Sequence, residues 1–285
     1  MKVRDMKLVH FSIAGREAWG ALTEPTRITP LAQRCSPGDL FRHTYDPDYL
    51  LDGSLPNSID VSSIEWLPPA LPSSKVICVG KNYADHAKEM GGETPELPII
   101  FSKFNSCLIG HRQPIVLPAI SSQVDWEAEL VVAIGRRGRN ILREQAMDWV
   151  AGYCCGNDIS ARDWQKGRPG GQWLLGKTFD TFGPLGPFLV TSDEVPDPHQ
   201  LEVELRLNGE TMQRANTSML IYPIDHLVSF VSQFFTLEPG DLIFTGTPAG
   251  VGAGRNPPRF LQPNETVEVE ITGLGKLRNQ VISAS

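Results

Sequence analysis

The chain has 285 residues, an ordinary share of apolar and charged side chains, and a formal net charge of -7. That length buries a sizeable core, as one large domain or as a main domain with a small appendage. An acidic balance with no basic block excludes nucleic acid and anionic membrane as natural partners, and no apolar run is long enough to span a bilayer.

The N-terminus, Met1-Lys2-Val3-Arg4-Asp5, has no apolar segment behind its charges, so it does not read as a secretory signal. A cytoplasmic location is expected, or a mitochondrial one if a presequence has been removed. Cys35, Cys78, Cys107, Cys154 and Cys155 are odd in number and lack metal-ligand spacing. They read as buried thiols in a reducing compartment.

Residues 1–70 differ from the rest. Phe11 to Thr23 suits a hairpin with Gly15 and Gly20 near its turns, and scattered Pro and Asp follow, at Pro30, Pro37, Asp46-Pro47-Asp48 and Pro56. Trp66-Leu67-Pro68-Pro69-Ala70-Leu71-Pro72 is a stiff connector. The expected division is a small N-terminal domain over 1–70 and a second domain over 71–285.

The second domain opens with an apolar strand over Lys75 to Gly80. Tyr83 to Met90 suits two helical turns stopped by Gly91-Gly92, which sets His86 and Glu89 three apart on one side. That spacing suits a carboxylate orienting an imidazole base, and equally a solvated surface pair. Strands are expected over Pro98 to Lys103 and Ile115 to Pro118. Asp125 to Ile134 then reads as one strand, with Asp125, Glu127, Glu129, Val131 and Ala133 on one face and Trp126, Ala128, Leu130, Val132 and Ile134 on a core face. Carboxylates side by side on so apolar a strand repel one another and lose solvation unless compensated. A divalent cation, Arg or Lys, or exposure at a strand end would each serve.

Gly135 to Gly138 is a turn, and Leu142 to Ala151 reads as a helix with Ala146, Met147 and Val150 on one face. Asp158 ends an apolar run, a place suited to a ligand from a loop. Strands predominate from about residue 185. Leu201 to Leu207 alternates cleanly before a hairpin turn at Asn208-Gly209, and Val267 to Ile271 alternates again. Between them lie an amphipathic helix over Asp225 to Phe234, with Leu227, Val231 and Phe234 inward, and a strand at Leu242-Ile243-Phe244. Many strands and few helices argue against a regular βαβ sheet.

Two glycine motifs mislead. Gly171 to Thr178 matches the phosphate-loop pattern, but no strand precedes it and Phe179-Asp180-Thr181-Phe182-Gly183-Pro184 is no helix. Gly250-Val251-Gly252-Ala253-Gly254 lacks the sixth glycine of a dinucleotide fingerprint, and Pro257-Pro258 blocks a helix. It reads as a loop after a strand. Gly246 and the backbone around Thr247 can offer N–H groups or a hydroxyl to a carboxylate.

Several separate motifs agree on one resemblance: Gly80-Lys81-Asn82-Tyr83-Ala84-Asp85-His86, Asp125-Trp126-Glu127-Ala128-Glu129-Leu130, Asn157-Asp158 through Asp163, Gly176-Lys177-Thr178-Phe179-Asp180, and Pro239-Gly240-Asp241 through Pro248. From about Val76 to Val281 the chain resembles the fumarylacetoacetate hydrolase family. The wording around Trp164 and Trp173 looks like the branch of mitochondrial FAH-domain proteins described as oxaloacetate tautomerases. The first 70 residues resemble that branch poorly.

The resemblance implies a mostly β fold with some helix, a mixed β-roll catalytic domain behind a small N-terminal domain, and a homodimer. It implies Mg²⁺ or Mn²⁺ held by Glu127, Glu129 and Asp158, with His86 and Glu89 as a lid dyad. Arg162, Gln165, Lys177 and Thr247 fall on its substrate-binding or catalytic positions. The absence of Cys and His from that ligand set agrees with a hard, oxygen-preferring cation. The substrate class implied is a 2-oxo dicarboxylic acid or an acylpyruvate, reacting through a metal-stabilised enolate. Oxaloacetate keto–enol tautomerisation is the leading expectation. Hydrolysis of an acylpyruvate or fumarylpyruvate C–C bond, or oxaloacetate decarboxylation, would use the same site. A reading from another class is a non-catalytic protein that binds metal or a small acid, against which the full set of ligand, dyad and lysine candidates argues.

Overall fold

Runs of β-branched and aromatic residues, punctuated by Gly, Pro and Asn, fold as strands. The structure is a computed structural model that describes residues 6–31, 55–166 and 169–284. Cys35, Pro37, Asp46-Pro47-Asp48 and Gly167 lie outside the described residues. The first elements are β1 (Lys7–Ile13), β2 (Arg16–Glu24), β3 (Arg27–Pro30), β4 (Ile59–Asp60), β5 (Glu65–Trp66), β6 (Val76–Gly80) and the helix α1 (Ala84–Glu89). There follow β7 (Ile99–Lys103), β8 (Leu108–Ile109), β9 (Ile115–Leu117), β10 (Val124–Asp125), β11 (Ala128–Ile134), β12 (Val150–Asn157) and β13 (Ser160–Ala161). Two one-turn helices, α2 (Arg162–Gln165) and α3 (Leu174–Lys177), precede β14 (Gly183–Thr191). The remainder comprises β15 (Glu202–Leu207), β16 (Glu210–Asn216), α4 (Ile224–Ser232), β17 (Leu242–Phe244), β18 (Thr266–Ile271) and β19 (Gly275–Ser283).

A twelve-stranded sheet runs β4-β3-β2-β1-β14-β12-β11-β17-β6-β7, with β5 on β1 and β8 on β14. A five-stranded sheet runs β16-β15-β18-β19-β9, and β10 pairs β13 alone. The N-terminal hairpin joins the large sheet through β1 and β14, with Lys7 opposite Val190. The architecture is mixed but β-dominated, as expected.

β11 lies between β12 and β17, and every residue of it is buried. Its two faces enter different cores: Ala128, Leu130, Val132 and Ile134 join Trp126 in one, while Val131 and Ala133 pack in the other. The expected alternation of faces therefore holds, but the strand is not continuous. It breaks at Trp126-Glu127 because side chains replace the ladder partners there. Trp126 N–H donates to Asp125 Oδ1, Glu127 N–H to Asn157 Oδ1 and Ala128 N–H to Gln213 Oε1.

Three other expectations are corrected. Ala14-Gly15 is the turn of the first hairpin, and Gly20 sits inside β2. The segment after Leu142 is a 3-10 helix over Arg143–Trp149, and Val150 starts β12, where pairing with β11 outweighs helical periodicity. Phe234 is 63% exposed, because α4 ends at Ser232 and Phe235 takes the inward place, while Leu227 and Val231 are buried as expected. Asn208-Gly209 does turn the β15–β16 hairpin, both residues having positive φ.

Candidate active site

The carboxylates gather where β11 begins and β12 ends. β11 and β12 run antiparallel with Glu129 opposite Gly156, and the N–H of Asp158 donates to the carbonyl of Glu127 at 2.9 Å. One ligand atom each from Glu127, Glu129 and Asp158 lie within 4.8 Å of one another, and all three residues are buried. Asp125, on the same expected face, is not in this group. It accepts N–H bonds from Gly252 and Ala253 and pairs with Arg162 at 2.8 Å.

Cations crowd the cluster. Lys177 Nζ lies 2.7 Å from both Glu127 Oε2 and Asp158 Oδ2. Lys103 Nζ lies 2.6 Å from Asp158 Oδ1, and Arg162 Nη1 lies 2.7 Å from Glu127 Oε1. Burial pushes the Glu127 carboxyl up, but Lys177 and Arg162 outweigh it and hold the group well below the usual carboxylate range. Burial likewise opposes the charges of Lys177 and Arg162, and the carboxylates around them more than restore both.

Glu129 is the exception. It receives one N–H bond, from Gly246 at 2.7 Å. Burial first, then the neighbouring Asp158 and Glu127, drive its carboxyl well above the ordinary range. Four buried carboxylates face three buried cations, and the deficit of positive charge falls on Glu129. A divalent cation fits this donor set: all its ligands are hard oxygens, and its charge would relieve the acid that lacks a counter-ion.

His86 and Glu89 sit on α1, which Gly91 ends with a positive φ. His86 Nδ1 lies 3.2 Å from Glu89 Oε2, and Glu89 Oε1 accepts the N–H of Gly250 at 2.9 Å. A carboxylate at Nδ1 favours the tautomer with its proton on that nitrogen, which would leave Nε2 able to accept one. His86, Glu127, Glu129, Arg162, Gln165, Lys177 and Thr247 line one cavity of about 230 Å³, together with Phe101 and Trp173. The expected site residues thus meet at this cavity, except that two lie behind its lining: Asp158, held by Lys103 and Lys177, and Glu89, which joins it through His86.

The rejected phosphate loop owes its Lys to this site. Lys177 Nζ is turned to carboxylates and lies 5.0 Å from the centre of the Phe101 ring. The second glycine loop is a carboxylate cradle, its amides holding Glu89 and Asp125.

Three supporting residues escaped the sequence reading. Lys103 looks like an ordinary strand-end lysine. Gln213, buried in β16, accepts from Ala128 N–H and donates to Thr247 Oγ1 at 2.8 Å, so it joins the start of β11 to the site loop. Asn82 bonds the backbone of Tyr222 and Thr245, tying the end of β6 to the loop after β17. A buried polar residue amid strand is the one available signal, and burial is not written in a single sequence.

The chain is similar to known proteins. The fumarylacetoacetate (FAA) hydrolase C-terminal family matches residues 75–282. A bovine protein named oxaloacetate tautomerase FAHD2A, mitochondrial, is 53% identical over 221 residues, which is 78% of this chain and 70% of that protein. The human protein of the same name is 51% identical over the same shares. The solved fumarylacetoacetate hydrolase of Exiguobacterium antarcticum superposes with a TM-score of 0.85 at 37% identity, covering 98% of this chain and 100% of that one. A 2-hydroxyhepta-2,4-diene-1,7-dioate isomerase from Mycobacterium marinum gives 0.81 at 35% identity, covering 98% and 99%.

Proposed function

Because the chain belongs to the fumarylacetoacetate hydrolase family, we propose that it is an enzyme catalysing keto–enol tautomerisation of oxaloacetate. The observation that carries this reading is that His86, paired with Glu89, lines the same cavity as Glu127 and Glu129 of a buried three-carboxylate cluster. Glu127, Glu129 and Asp158 would hold Mg²⁺ or Mn²⁺. When bound, the cation supplies Lewis-acid charge at the 2-oxo group of the substrate.

The side chains move the proton. His86 Nε2 takes a proton from the carbon next to the 2-oxo group and the imidazolium gives it to the 2-oxo oxygen, so that an O–H bond replaces the C–H bond; the reverse path returns it to carbon, while Glu89 keeps the imidazole in the right tautomer. Lys177 adds positive charge beside the oxygen that becomes anionic. Arg162 holds Asp125 and Glu127 in place, and Gln165 accepts a hydrogen bond from Arg162 Nη1. Phe101 and Trp173 wall the cavity against water.

Acylpyruvate hydrolysis is the second reading, favoured by the close superposition on a named fumarylacetoacetate hydrolase. Oxaloacetate given to the Mg²⁺-loaded protein separates the readings. Faster loss of enol absorbance without pyruvate is expected; pyruvate release would favour decarboxylation, and turnover of acylpyruvates alone would favour hydrolysis. Glu127→Ala and Asp158→Ala are each expected to lose bound Mg²⁺, by titration calorimetry, together with activity. Full activity in either variant would contradict the metal assignment.

We also propose a catalytic unit over 71–285 carrying an appendage over 1–70, a division supported by the family match beginning at residue 75. The mitochondrial names of the bovine and human relatives make that compartment, rather than a purely cytoplasmic one, the location to test by fractionation. Among the described residues no helix is long and apolar enough to cross a membrane.

A further inference from the structure

Two lysines that line the cavity, Lys81 and Lys166, have no part in the chemistry above. The other cations there are already committed. Lys177 holds Glu127 and Asp158. Arg162 gives its Nε to Asp125 and its Nη1 to Glu127 and Gln165. Lys81 and Lys166 form no ion pair among the described residues.

Two further observations mark this part of the cavity as short of an anion, and a third concerns how the chain places Lys81 there. Burial first, then Arg162 and Lys81, press the Lys166 ammonium below its ordinary range, with Asp125 and Glu127 pulling more weakly the other way. Cations that repel one another across a cavity are relieved by a bound anion. Arg162, 4% exposed, leaves its Nη2 without a hydrogen-bond partner among the described residues. Lys81 has φ +54, a left-handed conformation costly for a side chain with a Cβ. That conformation carries Lys81 from the end of β6 to the cavity, immediately before Asn82 anchors the chain.

Lys166 also lines a second cavity, of about 430 Å³, which shares Arg162 with the first and is bounded by Gln123, Pro258 and Phe260. The lysine therefore stands where the reaction cavity meets further space. It is placed to meet the end of a substrate whose other end is at the carboxylate cluster.

We propose that Lys81 and Lys166 form a subsite for the distal anionic group of the substrate, selecting 2-oxo acids that end in a second carboxylate over those that end in a methyl group. This rests on the reading that the cavity turns over oxaloacetate.

The test uses the Mg²⁺-loaded full chain, with oxaloacetate as substrate and 2-oxobutanoate, its methyl-ended counterpart, as competitive inhibitor. The double variant Lys81→Asn, Lys166→Gln suits it, because Asn tolerates the left-handed backbone and neither lysine is buried. We expect its KM for oxaloacetate to rise about tenfold while the Ki of 2-oxobutanoate moves less than about twofold. Lys81→Arg with Lys166→Arg is expected to restore KM to within about threefold. Raising salt should weaken oxaloacetate selectively in the wild type. An unchanged KM, or equal changes in KM and Ki, would overturn the subsite while leaving the tautomerase reading intact. A wild type inactive on oxaloacetate would overturn both.

Discussion

His111 shows how one side chain sets a pH limit. Its Nδ1 accepts the N–H of Arg278 at 3.1 Å, so the ring is held neutral. Burial, with Arg112 and Arg278 nearby, pulls its pKa down to about 4 from the ordinary 6.5. The unfolded chain therefore takes up the proton first as pH falls. Its contribution is full above about pH 6.5 and is lost between there and pH 4. We predict that urea stability falls between pH 7 and pH 5 and that His111→Gln lessens the fall, by on the order of 1 kcal/mol for a partly solvated ring. An unchanged pH slope in the variant would contradict it. At this scale the sequence was informative where several residue types had to coincide, as in Glu127, Glu129 and Asp158 with His86 and Glu89. Lys103 and Gln213 were not legible, because a single Lys or Gln in a strand looks the same whether it faces water or a buried carboxylate.

The docking of α1 shows how an element carries function. Glu89 is its attachment, reaching His86 with one oxygen and the Gly250 amide with the other. Gly254 makes room for it: a Cβ there would clash with Cγ and Cδ of Glu89. A flexible side chain can retreat from such a contact, so Gly254→Ala should cost stability only within about 0.5 kcal/mol. The retreat would release His86 from its orienting carboxylate, and we predict a roughly tenfold fall in kcat with bound Mg²⁺ unchanged. A kcat equal to wild type would show that the dyad works without this dock. Element identities were largely readable, because period-two alternation and Asn-Gly turns declare strands directly. Boundaries were less so: the break at Trp126-Glu127 depends on Asn157 and Gln213, partners distant in sequence, and Val150 follows its sheet neighbours instead of its local helical pattern.

At the scale of the molecule, β7 ends the large sheet, and Leu97 and Phe104 on either side of it are 65% and 53% exposed. An open strand edge flanked by apolar side chains suits association with a second copy. We predict a dimer by light scattering, shifted toward monomer by Phe104→Glu; a wild-type monomer at micromolar concentration would contradict this. The central claim concerns a proton moved by His86 beside a carboxylate-held cation. Its most direct test is proton NMR of fresh oxaloacetate with Mg²⁺, comparing wild type, His86→Ala and a chelator control. The account predicts accelerated keto–enol exchange without pyruvate in the wild type, and loss of exchange with chelator. His86→Ala should bind Mg²⁺ normally yet exchange about 10²- to 10⁴-fold more slowly. Wild-type exchange rates in His86→Ala, or exchange indifferent to the chelator, would contradict it.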